Sequence, residues 1–281
     1  MTEQRSVFVG DIEFNNEKPF VLIAGPCAIE SELIALETAG ELKRITDELG
    51  IPFVFKSSFD KANRTSSSGE RGVGIEEGLR ILQKVKDTFN VPVITDIHSP
   101  DQADKVAQVV DMLQIPSFLC RQNDLTEAAA KTGITVNVKK GQFLKPSGMH
   151  TIMKNYVEFG NNNSLQCERG MTFGPDNLVV DYTGFREMKS NGHPLVMDAT
   201  HAAQLPGGNG SSSGGKRDVV VDLAKAAIAV GVAAVFLEVH PDVEYAISDK
   251  ENQVPLDRAE ELLTVLKQLD DVVKSQPQIN L

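Results

Sequence analysis

The segment VITDIHSPDQADKVAQVVDMLQI, residues 93–115, decides the fold. Its first apolar run, residues 93–95, has the length and β-branched composition of a short buried strand. Ser99 and Pro100 then start a helix, because serine caps helices and proline suits their first turn. A second apolar run, residues 112–115, predicts the next strand. Strand, helix and strand in this order form the βαβ unit of a parallel sheet.

The same alternation extends outward from this segment along almost the whole chain. Between the first two strands, apolar residues of segment 31–49 recur at helical spacing, and Gly50 ends the helix. The pattern gives eight candidate strands, at residues 20–24, 52–55, 93–95, 112–115, 135–138, 164–167, 194–197 and 234–237. Eight strands, each followed by a helix, predict an α/β fold that closes as a (β/α)8 TIM barrel. An open doubly wound sheet is the alternative.

Turn-forming residues predict two further features. Gly10-Asp11 separates two β-prone runs, which predicts an N-terminal β-hairpin within residues 1–15 that covers the barrel bottom. Residues 206–215, after the seventh strand, are rich in glycine and serine, and we expect a lid there. Because barrels commonly use about 250 residues as one unit, we expect residues 1–281 to form a single domain.

Composition and charge exclude several classes of function. The net charge of -11 argues against nucleic acid as a partner, although a local group of cations still binds small anions. Neither a signal peptide nor an apolar run of about 20 residues occurs, so we expect a cytoplasmic protein that does not enter membranes. The three cysteines, Cys27, Cys120 and Cys167, are too few and too scattered for a disulfide framework.

Polar residues terminate the predicted strands, at the end of a barrel where active sites form. In chain order these residues are Cys27, Lys56, Asp96 with His98, Gln114, Lys139 with Lys140, Glu168 with Arg169, Asp198 with His201, and Glu238 with His240. Any one of them is equally explained as a solvated loop end or a hydrogen-bonded buried group. The complete ring favours a site for phosphates and a carboxylate, bound by the cations Lys56, Lys61, Arg64, Lys139 and Arg169.

Three of the strand-end residues suggest a metal site. Closure of the barrel makes the eighth and first strands neighbours, so Cys27, His201 and Glu238 face one sector, and Asp249 can add a fourth ligand. Thiolate, imidazole and carboxylate together suit a divalent Zn, Fe, Mn or Co ion. The alternatives are a small buried Cys27, a hydrogen-bonded His201 and a Glu238 paired with lysine. No CxxC or HExxH spacing decides between these interpretations.

Seven motifs resemble the 3-deoxy-D-manno-octulosonate 8-phosphate synthases, which condense phosphoenolpyruvate with D-arabinose 5-phosphate. They are KSSFDKANRTS from Lys56, VITDIHSP from Val93, IPSFLCRQNDL from Ile115, NVKKGQF from Asn137, ERGMTFGPDNLVVD from Glu168, MDATHAAQLPGG from Met197 and FLEVHPD from Phe236. The related 3-deoxy-D-arabino-heptulosonate 7-phosphate synthases, which use erythrose 4-phosphate, carry Lys-Pro-Arg-Thr-Ser where this chain has Lys61-Ala-Asn-Arg64. That enzyme and a non-catalytic barrel that binds sugar phosphates are the functional alternatives.

The resemblance implies a role for individual residues. The implied phosphoenolpyruvate contacts are Lys56, Lys61, Lys139, Arg169, Gln114 and Ser117. The implied contacts to the pentose phosphate are Asn63, Arg64, Thr65 and Arg121, the last from a neighbouring subunit, which implies a homotetramer. The relatives often have serine at Thr65, alanine at Ser117 and glycine after Asp249, where this chain continues with Lys250 and Glu251.

The resemblance also implies a metal and a reaction. The family has a metal-dependent class, whose ligands match Cys27, His201, Glu238 and Asp249, and a metal-free class with asparagine at Cys27. In the implied reaction, carbon 3 of phosphoenolpyruvate attacks the aldehyde, water adds to carbon 2 and phosphate leaves. The residues expected to take part are Lys61, Asp96, His98, Lys139, His201 and Asp249, with Asp96, His98 and Asp249 as candidates for proton transfer.

Overall fold

The computed structural model describes residues 3–62, 71–174, 177–207 and 214–276. In these residues the strands are β1 (Val7–Val9), β2 (Ile12–Phe14), β3 (Val21–Gly25), β4 (Phe53–Lys56), β5 (Val93–Asp96), β6 (Met112–Ile115), β7 (Thr135–Lys139), β8 (Ser164–Glu168), β9 (Met171–Thr172), β10 (Leu178–Val179), β11 (Leu195–Asp198), β12 (Gln204–Leu205), β13 (Gly214–Gly215), β14 (Ala234–His240) and β15 (Val254–Pro255). The α-helices are α1 (Glu32–Leu49), α2 (Ile75–Phe89), α3 (Ala103–Ala107), α4 (Asn123–Lys131), α5 (Gly148–Glu158), α6 (Thr183–Lys189), α7 (Ala199–Ala202), α8 (Arg217–Val230) and α9 (Ala259–Ser275).

Eight parallel strands close into a barrel. They pair in the order β3, β4, β5, β6, β7, β8, β11 and β14, and β14 pairs in turn with β3, so the sheet has no free edge. The predicted (β/α)8 barrel is therefore confirmed, and the open doubly wound sheet is wrong. All eight predicted strands are present. Seven agree within one residue at each end, while β14 continues to His240, because its backbone ladder extends through the polar residues that follow the apolar run.

The strands are buried on both faces, which explains their continuous apolar runs. Because side chains alternate along a strand, Val21 and Ile23 of β3 point into the barrel and pack with Phe236 of β14. Leu22 and Ala24 of the same strand join the layer between the barrel and the helices. Many of the polar residues in these strands occur at their carboxyl ends, on the side of the barrel where the strands end.

The N-terminal hairpin closes the opposite, amino-terminal end of the barrel. Strands β1 and β2 pair antiparallel around Gly10, whose φ of 57° is left-handed and suits glycine. Val7, Val9 and Phe14 belong to the same buried cluster as the side chains inside the barrel. The predicted hairpin and its position at the barrel bottom are therefore confirmed.

The predicted lid is described only at its base. Strands β12 and β13 pair antiparallel and form the stem, whereas residues 208–213 lie outside the described residues. At Gly215 of the stem, a β-carbon would lie 1.6 Å from Oδ1 of Asn252, so the stem packs directly on the loop after β14. Among the described helices, none is both long and apolar enough to cross a membrane.

Candidate active site

The polar ends of the barrel strands meet at the carboxyl end of the barrel, because parallel strands all end there. The turn after β3 comes close to β4: a β-carbon on Gly25 would lie 2.1 Å from the carbonyl oxygen of Lys56. Glycine at this position therefore lets the segment that carries Cys27 approach the segment that carries Lys56. The carbonyl oxygen of Cys27 accepts a hydrogen bond from Nζ of Lys56, at 3.2 Å.

Two lysines converge on one buried carboxylate. Nζ of Lys56 lies 3.4 Å from Oε1 of Glu238, and Nζ of Lys61 lies 3.8 Å from the same oxygen. Nζ of Lys56 also lies 3.8 Å from Oδ2 of Asp96. Burial, together with the neighbouring charge of Lys61, lowers the pKa of Lys56. Burial opposes the charged form of Asp96 as well, but the three lysines Lys56, Lys61 and Lys139 hold its pKa below the ordinary range.

A second charged group joins β7 to β11. Oδ2 of Asp198 lies 2.7 Å from Nζ of Lys139 and 2.8 Å from Nδ1 of His201, and Asp198 is completely buried. Burial opposes the charged lysine, but the Asp198 carboxylate raises the pKa of Lys139. Nζ of Lys139 lies 4.1 Å from the ring centre of Phe236, which adds a cation–π contact. Lys139 therefore stays cationic inside the barrel.

A series of hydrogen bonds links the loop after β4 to three strands, β5, β6 and β7, and fixes Asp96. Nζ of Lys61 donates to Oγ of Ser58 at 3.1 Å, and Ser58 donates to Oδ2 of Asp96. Nε2 of Gln114 donates to the other oxygen of Asp96 at 2.6 Å, and Nδ2 of Asn137 donates to Oε1 of Gln114 at 2.9 Å. Because both carboxylate oxygens of Asp96 accept hydrogen bonds, the side chains in this series of hydrogen bonds are held in one orientation.

Arg169 is a buried cation with unused hydrogen-bond donors. Its side chain donates to Oε1 of Gln204 at 2.8 Å, while its Nε and one terminal nitrogen have no partner among the described residues. Only 4% of its surface is exposed, and burial lowers its pKa. A guanidinium group with two free donors in a buried position is suited to bind a phosphate or carboxylate through paired hydrogen bonds.

The candidate metal ligands lie close together. The ligand atoms of Cys27, Glu238 and Asp249 are all within 4.8 Å of one another. Sγ of Cys27 lies 3.2 Å from Oδ2 of Asp249. Nε2 of His201 lies 3.5 Å from Oε1 of Glu238 and 3.8 Å from Oδ2 of Asp249. The described residues therefore contain a possible cysteine and carboxylate site, with an imidazole beside it.

The donor set fits a divalent ion. Ligands at about 2.0 to 2.3 Å from a tetrahedral ion lie about 3.3 to 3.7 Å apart, close to the separations given above. Oε2 of Glu238 is buried without a partner among the described residues, although Oε1 contacts both lysines. The pairing of Glu238 with lysine, one of the alternatives from the sequence, therefore occurs and still leaves one carboxylate oxygen available to an ion.

Burial and neighbouring charges change the pKa values of the candidate metal ligands Cys27 and Asp249. Burial, followed by the charge of Glu238, raises the pKa of Cys27 well above its ordinary value. The neutral thiol then donates its proton toward Asp249. Burial disfavours the charged form of Asp249 as well, but the neighbouring His201 and Lys61 lower its pKa. Binding of an ion by Cys27 would therefore release a proton.

Six other predicted residues lie apart from these clusters or outside the described residues. Ser117 is buried in a short 3-10 turn after β6, and Arg121 is exposed just beyond that turn. His98 lies in the loop after β5, edge-on to Phe59, and its Nδ1 has no partner in the described part of the chain. Burial lowers the pKa of His98. The predicted pentose phosphate contacts are not described, namely Asn63, Arg64 and Thr65.

Several residues of the site have no specific role predicted from the sequence. Asp198 ends a barrel strand and was identifiable from that position, while Ser58 and Gln204 occur within the motifs that carry the resemblance. Gln204 joins two clusters, since it accepts from Arg169 and its Nε2 donates to Oδ1 of Asp249 at 2.8 Å. Gln253, which accepts a hydrogen bond from the Cys27 backbone, has no sequence signal, because it follows no strand and belongs to no motif.

Comparisons with known proteins identify a family and relatives over nearly the whole chain. The DAHP synthetase I family matches residues 2–275 of the chain. A protein of Dichelobacter nodosus named 2-dehydro-3-deoxyphosphooctonate aldolase is 54% identical over 265 residues, covering 94% of this chain and 96% of its own. A protein of the same name from Cupriavidus taiwanensis is 55% identical, covering 93% of both chains. A protein of Pseudomonas putida named 2-dehydro-3-deoxyphosphooctonate aldolase 1 is 51% identical, covering 98% of both chains.

Proposed function

The chain belongs to the DAHP synthetase I family, and we propose that it is a 2-dehydro-3-deoxyphosphooctonate aldolase, also called 3-deoxy-D-manno-octulosonate 8-phosphate synthase. It condenses phosphoenolpyruvate with D-arabinose 5-phosphate and water to give 3-deoxy-D-manno-octulosonate 8-phosphate and inorganic phosphate. This is a step in Kdo and lipopolysaccharide biosynthesis. Identity of 51–55% to relatives of that name over nearly the full length carries the proposal. The buried cations at the end of the barrel support it.

Phosphoenolpyruvate carries a phosphate and a carboxylate and therefore requires several cations. Lys56, Lys61 and Lys139 supply point charges and Arg169 supplies a planar fork with free donors. Gln114 and Ser117 are the proposed polar contacts at the end of β6 and in the following turn. In a buried site these charges compensate two mutually repelling substrates and hold them in contact, which lowers the entropic part of the barrier.

The proposed contacts to the second phosphate belong to the segment after β4 and to another subunit. Asn63, Arg64 and Thr65 are assigned to the pentose phosphate by the family resemblance alone, since they lie outside the described residues. Arg121 is exposed, as expected for a side chain that serves a neighbouring site. Two exposed phenylalanines at the same end of the barrel, Phe118 and Phe143, support an interface there, and the proposed homotetramer rests on the family resemblance. Sedimentation velocity measures the mass, and a monomer would contradict this assembly.

In the condensation, carbon 3 of phosphoenolpyruvate forms a bond to the aldehyde carbon of open-chain arabinose 5-phosphate. Water adds to carbon 2, the bond between carbon 2 and the phosphate-bearing oxygen breaks, and inorganic phosphate leaves. Asp96, His98 and Asp249 are the proposed residues for proton transfer. Asp96 stays ionised, since the surrounding lysines lower its pKa, and it is suited to accept a proton or orient a hydroxyl group. Burial lowers the pKa of His98, which favours its neutral form, and its Nδ1 has no partner among the described residues.

Cys27, His201, Glu238 and Asp249 are the proposed ligands of a divalent Mn, Fe, Zn or Co ion. When bound, such an ion supplies Lewis-acid polarisation of the aldehyde or lowers the pKa of a water molecule. The free Oε2 of Glu238 and the thiol–carboxylate contact between Cys27 and Asp249 support this assignment. His201 is held by Asp198 through Nδ1, which leaves Nε2 facing the other ligands.

Phosphate release from phosphoenolpyruvate tests the proposal, measured with arabinose 5-phosphate and with erythrose 4-phosphate in parallel. We expect faster release with arabinose 5-phosphate, loss of activity after chelation and recovery on adding a divalent ion. Faster release with erythrose 4-phosphate would make the protein a heptulosonate phosphate synthase. Binding of both substrates without release would make it a non-catalytic barrel, and full activity of the metal-free protein would remove the metal from the proposal.

Three broader features remain part of the proposal. We treat residues 1–281 as one domain, since all eight barrel strands lie in a single closed sheet. A cytoplasmic location suits an enzyme that acts on phosphorylated sugars. The expectation that the protein binds neither nucleic acid nor membranes rests on its net charge and apolar pattern.

A further inference from the structure

We propose that Gln253 is a positioning residue for the metal ligands Cys27 and Asp249. These ligands belong to two different loops, after the paired strands β3 and β14. Gln253 lies in the second loop and is completely buried. The inference rests on the metal site of the proposed function and assigns a task to a residue outside the four ligands.

The side chain of Gln253 bonds to both loops at once. Its Oε1 accepts from the backbone N–H of Cys27 at 3.3 Å, and its Nε2 donates to the carbonyl oxygen of Ser248 at 2.7 Å. Because one partner is a donor and the other an acceptor, only one orientation of the amide satisfies both. A hydrophobic side chain of the same length would leave the Cys27 N–H and the Ser248 carbonyl without these bonds.

The backbone of Gln253 also holds Asp249. The N–H groups of Asn252 and Gln253 donate to the carbonyl oxygen of Asp249, at 2.9 and 3.2 Å. Asp249 has a φ of 50°, a left-handed conformation that costs free energy in a residue other than glycine. The turn closed by these two bonds stabilises that conformation, which directs the Asp249 carboxylate to a point 3.2 Å from Sγ of Cys27.

A carboxylate links the same two loops at a second point. Oε1 of Glu30, which follows Cys27 in the first loop, accepts from the N–H of Ile247 at 3.1 Å and lies 3.3 Å from Nε2 of His240. The loops are thus joined on both sides of the ligand pair, with Gln253 on the side of the Cys27 backbone. Partners that orient metal ligands change metal affinity by about 10- to 100-fold when they are removed.

Cobalt binding to the metal-free protein tests this role without any substrate. Cobalt suits the same ligands, and its charge-transfer absorption with a thiolate reports whether Cys27 is bound. The test variant is Gln253→Met, which keeps the length of the side chain and removes both hydrogen bonds. The matched control is Gln166→Met, because Gln166 is an equally buried amide whose Nε2 donates to the carbonyl oxygens of Met188 and His193, far from the ligands.

We expect Gln253→Met to raise the Kd for cobalt by about 10- to 100-fold and to weaken the thiolate band for each bound cobalt. Gln166→Met should lower the melting temperature without changing either quantity.

Should Gln253→Met fail to fold, Gln253→Asn replaces it, since the shorter amide cannot reach both partners. If Gln253→Met binds cobalt with the same affinity and the same thiolate band as the unsubstituted protein, the positioning role of Gln253 is overturned, while the metal site itself is not. Absence of a thiolate band in the unsubstituted protein would overturn the metal site itself, and this inference with it.

Discussion

The two ends of the barrel differ in how their buried polar side chains are bonded, although Oδ1 of Asp270 at the amino end also has no hydrogen-bond partner among the described residues. At the carboxyl end, Glu238, Arg169 and His98 each keep a buried atom without a partner among the described residues. At the amino end, Asn16 donates to Gln4 and to the carbonyl oxygen of His193, and its Oδ1 accepts from the N–H of Leu195. Buried groups with all bonds made stabilise a fold, whereas buried groups with unused bonds indicate a ligand.

The cations at the two ends differ in the same way. Lys274 of α9 reaches the barrel bottom, where its Nζ donates to the carbonyl oxygens of Asn16 and Val232 at 2.7 and 2.9 Å. Lys56, Lys61 and Lys139 at the other end face carboxylates and one another. We therefore expect substitutions at the carboxyl end to change catalysis and substitutions at the amino end to change stability.

The largest expected effect is at Arg169. Arg169→Met removes a cation that makes few bonds, and we expect kcat/KM to fall by about 100- to 1000-fold. Because burial lowers the pKa of Arg169, the folded state disfavours its charge, and the free energy of unfolding should stay the same or rise. Steady-state phosphate release and urea unfolding measure the two quantities. Arg169→Lys is the control that keeps the charge. A loss of stability that matched the loss of activity would break the contrast between the two ends.

Lys274 predicts a pH dependence of stability at the amino end. Burial lowers its pKa to about 8 in the folded protein, against about 10.4 in the unfolded chain. Between these values the unfolded chain binds more protons, so stability rises with pH. The stability of the unsubstituted protein relative to Lys274→Met should rise by about 2.5 kcal/mol from pH 8 to pH 10.4. Urea unfolding across this window checks it, and a constant difference would show that Lys274 keeps its ordinary pKa.

A smaller effect on stability is expected at Asn16. Asn16→Ala leaves the Leu195 N–H without its partner and removes one of two hydrogen bonds to the His193 carbonyl oxygen, which should lower the free energy of unfolding by about 2 kcal/mol. The KM for both substrates should not change, because the site lies at the opposite end. Raised KM values at unchanged stability would contradict the division between the ends.

The smallest effect is expected at Ser58, between Lys61 and Asp96. Ser58→Ala removes one link of the hydrogen-bonded chain, and we expect kcat to fall by about tenfold, corresponding to about 1.4 kcal/mol. The KM values should remain the same, since the charges that bind substrate are retained. Steady-state kinetics measures both, with Ser58→Thr as the control that keeps the hydroxyl group. Equal loss in both variants would point to packing rather than to the hydrogen bonds.

The sequence predicted the residues at the carboxyl end of the barrel better than the bonding at the amino end. The strand ends gave Lys56, Asp96, Lys139 and Glu238 directly, because a parallel barrel brings the carboxyl ends of its strands together. Asp198 satisfies the same rule and belongs to the predicted ring of strand ends, although the sequence predicts no specific role for it. The bonding at the barrel bottom had no such signal, since Asn16 and Lys274 are distant in sequence and meet only through tertiary packing.

The sequence by itself determined the barrel, the hairpin and the ring of charges, because alternating apolar runs and turn residues are local properties of the chain. The family also followed from local motifs. Tertiary structure alone decided which atoms remain unbonded, since that depends on burial and on partners far apart in sequence. The free donors of Arg169, the free oxygen of Glu238 and the link from Gln253 to Cys27 are all of this kind. Hydrogen bonds and desolvation act at distances of a few ångströms, and only the folded chain sets those distances.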